Sequence, residues 1–463
     1  MDGPTDNTKP ACPGCAERDR EIAELKARVA KLEVASRAGK RQAAPFSKGP
    51  PKADPKRPGR KSGEEHGAHR HRDVPSRIDE VYDVPLPDCC SNPDCPGRIL
   101  PKGVAQQYQT EIVRRSVNRQ FNVPLGECDT CHRRVQGRHP LQTSDALGAA
   151  ASQIGPDAQA LIVQMNKEGG LSHGKVKRFF KAAFDIDLSR GGICRAMLRA
   201  GRRCEPAYRA IVRRVQHSPF IVPDETGWRI GGVLAWLHVA VGADATAYLV
   251  HRRRGYEAAV ELIGADYDGF LTHDGWAPYA RFIYAIRQTC LGHLLRRGKE
   301  LEEAADGVAA RARFPLEVKA ILKEALAVRD RRDAGEMTAE QARGQAGLLS
   351  LRVAALLAGP PQADADNERF AKHLWNQQSA LFTFLEYEGV DATNYKAEQA
   401  IRPGVPNRKV SGGNRTEAGA AAQSVLTSVL RTTVQRGIDS LSFISDTLKA
   451  CFGRHPAIVP ETG

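Results

Sequence analysis

Three acidic residues stand where a chain mounts side chains rigidly. Asp224 follows an apolar run in IVPDETGW, Asp274 closes another in FLTHDGWAPY, and Glu398 lies in NYKAEQAIRP, which reads as a helix. Strand ends and helix faces are rigid mounts, and metal sites need rigidly placed ligands. Two aspartates and a glutamate brought together would hold two Mg (or Mn) ions. Such ions activate a nucleophile and stabilise the leaving oxygen in phosphoryl transfer, and they neutralise the repulsion of clustered carboxylates. A lone aspartate at a strand end is more often a turn former, and neither spacing nor composition makes the three converge. Glu225 should tolerate Gln better than Asp224 tolerates Asn, because adjacent side chains on an extended segment point apart. Glu417 reads as a surface or capping residue.

The cysteines suggest a second kind of site. There are 11, several of them clustered: Cys12 and Cys15; Cys89, Cys90 and Cys95; Cys128 and Cys131. The start of the chain is polar, without the apolar core of an export signal, so the expectation is a cytoplasmic, nucleoid-associated protein with reduced thiols. Cys90 and Cys95 are separated from Cys128 and Cys131 by 32 residues that can form a hairpin. Two thiol pairs joined in this way make a tetrahedral S4 site for structural zinc. Cys89 can replace Cys90, His132 adjoins the second pair, and unliganded thiols are the alternative. Cys12 and Cys15 stand alone; a zinc shared across a dimer would use them.

Charge indicates the partner. In 463 residues, Lys+Arg number 68 against 54 Asp+Glu, a net charge of +14, while a 41% hydrophobic fraction argues against wholesale disorder. A globular basic chain favours a polyanion, most simply double-stranded DNA. No apolar run reaches the ~20 residues of a membrane span. Ser172 and Ser189 open two helical segments joined by a short turn, a helix-turn-helix-like pair carrying Lys175, Lys177, Arg195 and Arg199. Such a pair can place its second helix in a major groove, although helix pairs are common. The PKRPGRK stretch, with Arg57, Arg60 and Lys61, can follow a DNA backbone or a minor groove, or be a solvated tail.

These features divide the chain. Residues 1–35 hold the CxxC and a short coiled-coil seam of Ile22, Leu25, Val29 and Leu32, for which a solitary charged helix is the alternative. Residues 36–76 form a basic disordered linker, 77–147 a zinc-binding β-rich unit with strands over 104–113 and 117–125, and 148–218 the helical DNA-binding region. A catalytic core over 219–295 has strands at 220–223, 231–241, 246–252 and 269–273. Residues 296–388 read mostly as helix, and 389–463 as further helices; under the resemblance given next these become a helical insertion and the last part of the core.

The strings VPDETGWRIGGVLAWLHVAV, YDGFLTHDGWAPY, QTCLGHLLRR and NYKAEQAIRPGVPNRKVSGGNRTEAGA resemble the insertion-sequence sixty-six family of bacterial transposases. The resemblance extends over nearly the whole chain. It implies a ribonuclease H-like mixed sheet and a DDE triad of Asp224, Asp274 and Glu398, with Asp274 after the fourth strand and Glu398 on a late helix. The 124-residue gap from Asp274 to Glu398 then requires the helical insertion. Cys290-x2-His293 matches an element that follows the second acid, where His293 touches phosphate, buttresses the acids or is simply structural. Some DDE families carry a basic residue seven after the glutamate; here that position is Val405, leaving Arg402, Arg408 and Lys409 as phosphate contacts. The implied activity is DNA cleavage at terminal inverted repeats and strand transfer, by a homodimer or higher oligomer on DNA, with accessory proteins of the same element. The alternatives are a non-catalytic DNA-binding protein derived from a transposase, and a ribonuclease or junction nuclease on the same core.

Overall fold

The computed structural model describes residues 22, 74–87, 99–143, 146, 154–360, 362, 364–450 and 456–459. The coiled-coil seam apart from Ile22, the Cys12–Cys15 pair, the basic stretch with Arg57, Arg60 and Lys61, and Cys89, Cys90 and Cys95 lie outside the described residues. The chain divides into two units, Met1–Glu111 and Ile112–Gly463. The described residues of the first unit beyond Ile22 form neither helix nor strand.

The second unit departs from the expected β-rich region. Residues 112–124 contain no strand, and none occupies 104–111 of the first unit. Val104, Ile112, Val113 and Val117 are exposed, so their β-branched side chains have no layer to pack on. The strands present are two short ones, β1 (Leu125–Glu127) and β2 (Arg134–Gln136), paired antiparallel around the Cys128–Cys131 loop.

Three helices follow: α1 (Pro156–Lys167), α2 (His173–Phe184) and α3 (Arg190–Gln216). Both expected serine caps form, with Ser172 accepting the Lys175 N–H and Ser189 that of Gly192. Helix α3 runs for 27 residues, nearly to the end of the expected helical region. Ile193, Ala196, Ala200, Cys204, Ile211 and Val215 are buried at helical spacing, so the apolar stripe continues to the helix end.

The sheet has five strands: β3 (Phe220–Ile230), β4 (Val233–Val241), β5 (Thr246–His251), β6 (Phe270–His273) and β7 (Ile286–Thr289). Their order is β5-β4-β3-β6-β7. The pairs β3–β4 and β4–β5 are antiparallel, whereas β3–β6 and β6–β7 are parallel. This mixed sheet is consistent with a ribonuclease H-like core. Strand β3 is longer than expected, because Gly231 and Gly232, both at positive φ, turn it directly into β4. Helix α4 (Tyr256–Ile263) and a 3-10 turn (Ala277–Arg281) flank β6.

Between β7 and the last core helices lies the helical insertion: α5 (Leu291–Ala304), α6 (Ala309–Asp333), α7 (Ala339–Leu357), α8 (Ala365–Gln377) and α9 (Thr383–Glu386). It has its own core, including Phe314, Ile321, Leu349, Phe370 and Phe384. The chain closes with α10 (Tyr395–Ile401), α11 (Gly404–Ser411), α12 (Glu417–Gln435) and α13 (Ser440–Lys449). Alternation along β3 and β4 splits the sheet between two cores. Ile221 and Ala240 join the α1–α3 layer, whereas Val222, Leu237 and Val239 pack with Ala397, Ala400 and Ile401 of α10.

Helix α12 covers the β5 edge through hydroxyls. Thr432 Oγ1 accepts the Thr246 N–H at 3.1 Å, Ser428 Oγ that of Tyr248 at 2.8 Å and Ser424 Oγ that of Val250 at 2.8 Å. Four helical residues rise about 6 Å and two strand residues about 6.7 Å, so the two repeats stay in step over this length. The edge donors are thereby satisfied without another strand. Ser428→Ala leaves the buried Tyr248 N–H unpartnered and should lower unfolding free energy by about 1–3 kcal/mol in urea titration; an unchanged midpoint would contradict this.

Candidate active site

Asp224 sits within β3, opposite Val239 of β4, and not beyond the strand as the apolar run suggests. Its parity matches Val222, so it projects to the face covered by α10, the helix carrying Glu398. Parallel pairing of β3 with β6 begins at Phe220↔Phe270 and Ile221↔Leu271; carried forward, that register sets Asp224 level with Asp274. The strands pair at only these two positions, and the crevice opens past them, where β6 ends and the sheet order reverses. Asp224 is held well above the ordinary carboxylate range, first by burial, then by the charges of Glu225, Asp274 and, more weakly, Glu398.

Asp274 directly follows β6 in a tight loop. Its Oδ1 accepts the Trp276 N–H at 2.9 Å, and His273 Nδ1 accepts the Gly275 N–H at 3.0 Å. Gly275 has φ +90°, and a Cβ there would lie 2.8 Å from His373 Nε2, so the HDGW turn requires glycine.

Glu398 is fixed through its helix. Tyr248 donates its hydroxyl hydrogen to Ala400 O at 2.6 Å, while Ala397, Ala400 and Ile401 are buried against the sheet. The Glu398 carboxylate lies 3.7 Å from His293 Nε2 and 4.0 Å from Arg296. His293 and Cys290 open α5. Burial raises the Cys290 pKa, and the nearby backbone N–H groups of Asn394, His293 and Gly292 oppose the rise. The Leu291 N–H donates to Ala392 O, so the start of α5 is tied to the segment leading into α10. Burial lowers the His293 pKa, Arg296 adding to the effect while Asp274 and Glu398 oppose it.

Glu225 does point away from Asp224, but not into solvent. Its side chain is 1% exposed and ion-paired to Arg254 at 2.7 Å, and it accepts the Tyr279 hydroxyl hydrogen at 3.0 Å. Arg254 lies over the rings of Trp236 and Trp276, 4.8 and 4.5 Å from their centroids. Alternation gives the direction, but this face of the sheet is covered too, so Glu225 lies in a buried ion pair and not in solvent. The sequence reading missed Arg254, and the HRRRG run that contains it was the available signal. Glu417 is exposed in the first turn of α12 and pairs with Arg252 at 2.5 Å, in accord with a surface role.

The acids thus come from β3, the β6 loop and α10. Among the described residues no three His, Cys, Asp or Glu side chains are gathered tightly enough to hold one metal ion. The donor set still fits Mg. It consists of oxygens, and the mutual repulsion that raises Asp224 is what a cation relieves. Mg is ordinarily held by one or two carboxylates with substrate phosphates completing its shell.

The remaining expected residues are dispersed. Cys128 and Cys131 share the β1–β2 loop, where the N–H groups of Cys131 and Thr130 lower the Cys128 pKa. Lys175 and Arg195 are exposed; Lys177 pairs with Asp187 at 3.1 Å, and Arg199 donates to Gln159 at 3.2 Å. Arg402 and Lys409 are exposed, whereas Arg408 donates to Gly227 O and, at 3.3 Å, to Thr226 of β3. Val405 is buried.

Sheet order and acidic crevice define a mixed α/β protein whose core is consistent with a ribonuclease H-like fold. The chain belongs to the Transposase IS66 family, whose family model matches residues 151–422, more than half of its length. No curated protein matches the chain. The matched span includes the crevice and the insertion, so this is a transposase domain. Among the described residues no helix is long and apolar enough to cross a membrane.

Because Asp224 is raised, the folded chain keeps a proton there over a pH range in which the unfolded chain has lost it. Stability from this residue is fullest below the ordinary carboxylate range and falls as pH rises through the raised value. In metal-free protein, Asp224→Asn should therefore gain stability relative to the parent as pH rises above the ordinary carboxylate range. Parallel pH curves from chemical denaturation of the two proteins would contradict a raised Asp224.

Proposed function

We propose that the chain is an active DDE transposase that binds the terminal inverted repeats of its element, cuts there and joins the freed 3′-hydroxyls to target DNA. What supports this reading is that Asp224 on β3 feels the charges of Asp274, after β6, and of Glu398, on α10, in a chain of a transposase family. Two Mg or Mn ions would be held by these carboxylates and would supply nucleophile activation and leaving-group stabilisation. The protein's own part is orientation. Strand β3 holds Asp224 at the centre of the sheet, the HDGW turn aims Asp274, and Tyr248 with the Leu291–Ala392 hydrogen bond positions α10 for Glu398. Glu225, paired internally with Arg254, is left out of metal binding.

DNA affinity in this reading comes from the net charge of +14, with Lys175, Arg195, Arg402 and Lys409 as exposed cations. Binding should weaken steeply with salt. Asp224→Asn, Asp274→Asn and Glu398→Gln should each abolish cleavage and strand transfer while leaving end binding largely intact, since the ions act as a unit. Glu417→Gln should remain active. A gel assay on terminal-repeat duplexes reads all four variants; an active Glu398→Gln enzyme would remove Glu398 from the triad.

We also propose that Cys128 and Cys131 ligate a structural zinc. Their loop resembles half of a tetrahedral thiolate site, and the lowered Cys128 pKa favours the thiolate that zinc requires. Protein purified without chelator should contain about one zinc per chain, and Cys128→Ser with Cys131→Ser should lose it. Full zinc content in that double variant would exclude this loop.

A further inference from the structure

A cleft of about 310 Å³ opens beside Asp274, between α5 and α8 of the insertion. His293 and Arg297 line it from α5, and Arg369, Phe370 and His373 from α8. Asp274 is its one acidic lining residue. The two guanidiniums share Asp366 at the rim, Arg297 reaching it at 3.4 Å and Arg369 more closely. Each guanidinium carries five N–H donors in a planar fork suited to phosphate, so the shared Asp366, with Glu300 3.6 Å from Arg297, uses only part of that capacity. Both side chains remain accessible, Arg297 41% and Arg369 69% exposed. Two imidazoles add donors on the same walls. The site therefore pairs a carboxylate of the crevice with a cationic wall supplied by the insertion.

We propose that this cleft binds one backbone phosphate of the DNA strand being cut, adjoining the scissile phosphodiester, through Arg297 and Arg369. The assignment rests on the transposase reading and gives the insertion a direct part in substrate placement. A phosphate held here sits next to Asp274, so it fixes the register of the strand across the crevice.

The test uses the full chain and duplexes of the terminal repeat in which each phosphate near the cut is replaced in turn by an uncharged methylphosphonate. Binding is measured with chelator present, so the readout is independent of metal and of chemistry. The parent should lose about tenfold in affinity at one flanking phosphate. Arg297→Gln with Arg369→Gln should bind native DNA about tenfold more weakly, with a shallower salt slope, and lose no more at that same phosphate. Both DNAs are compared on one preparation, so a reduced folded fraction cancels. Should the double variant not fold, Arg369→Gln alone, on an exposed side chain, carries the same comparison. Variants as sensitive as the parent at every flanking phosphate would overturn the proposal. A parent that binds no terminal-repeat duplex overturns the functional reading itself, whereas binding without this coupling overturns only the cleft.

Discussion

Carboxylates on the central strand of a sheet covered on both faces set the constraint on the rest of this fold. A buried ionised acid is costly unless it is paired or bound to a cation. The two faces of β3 meet that cost differently. Behind the strand, Glu225 is answered from within by Arg254 and the Tyr279 hydroxyl, with Trp236 and Trp276 flanking the guanidinium. In front, the charges that act on Asp224 are all acidic, and its pKa rises by more than the Glu225 N–H on its Oδ1 offsets; burial raises Glu225 as well, but there Arg254 and Tyr279 oppose it. The protein thus answers Glu225 with an internal cation, whereas among the described residues no cation acts on Asp224.

That arrangement needs a stiff frame, because like charges would otherwise separate by moving. The hydroxyl ladder of α12 closes the β5 edge, and Tyr248 on the same strand holds α10 by its Ala400 carbonyl. The insertion respects this frame. It leaves after β7 and returns before α10, and the Leu291–Ala392 hydrogen bond joins its two ends at the neck. A long insertion with its ends held together adds little strain to the core, since loop-closure cost grows slowly with length. Its helices α5 and α8 nonetheless reach back to Asp274 and line one wall of the crevice. The insertion is therefore both an independent core and a part of the site.

Where local pattern and structure part, the cause is shared. β-branched composition alone points to strands over 104–113 and 117–125, yet of these residues only Leu125 lies in a strand, and Val104, Ile112, Val113 and Val117 are exposed. The apolar run before Asp224 stops there, while the backbone pairing with β4 continues to Ile230. Alternation turns Glu225 away from Asp224, but it says nothing of what covers the far side. Each case turns on what lies opposite, which no local pattern contains.

By itself the sequence determined what depends on near neighbours. It specified the Ser172 and Ser189 caps, the strand–turn–strand succession after residue 219, the helices around Glu398 and Glu417, and the acids worth attention. These follow from hydrogen bonds and periodicities spanning a few residues. Only the tertiary structure decided the register that sets Asp224 level with Asp274, the pairing of Glu225 with Arg254, the anchoring of α10 by Tyr248 and the cationic cleft between α5 and α8. Those contacts join residues tens to more than a hundred positions apart. Their free energy comes from burial and charge pairing that exist only once the layers have closed.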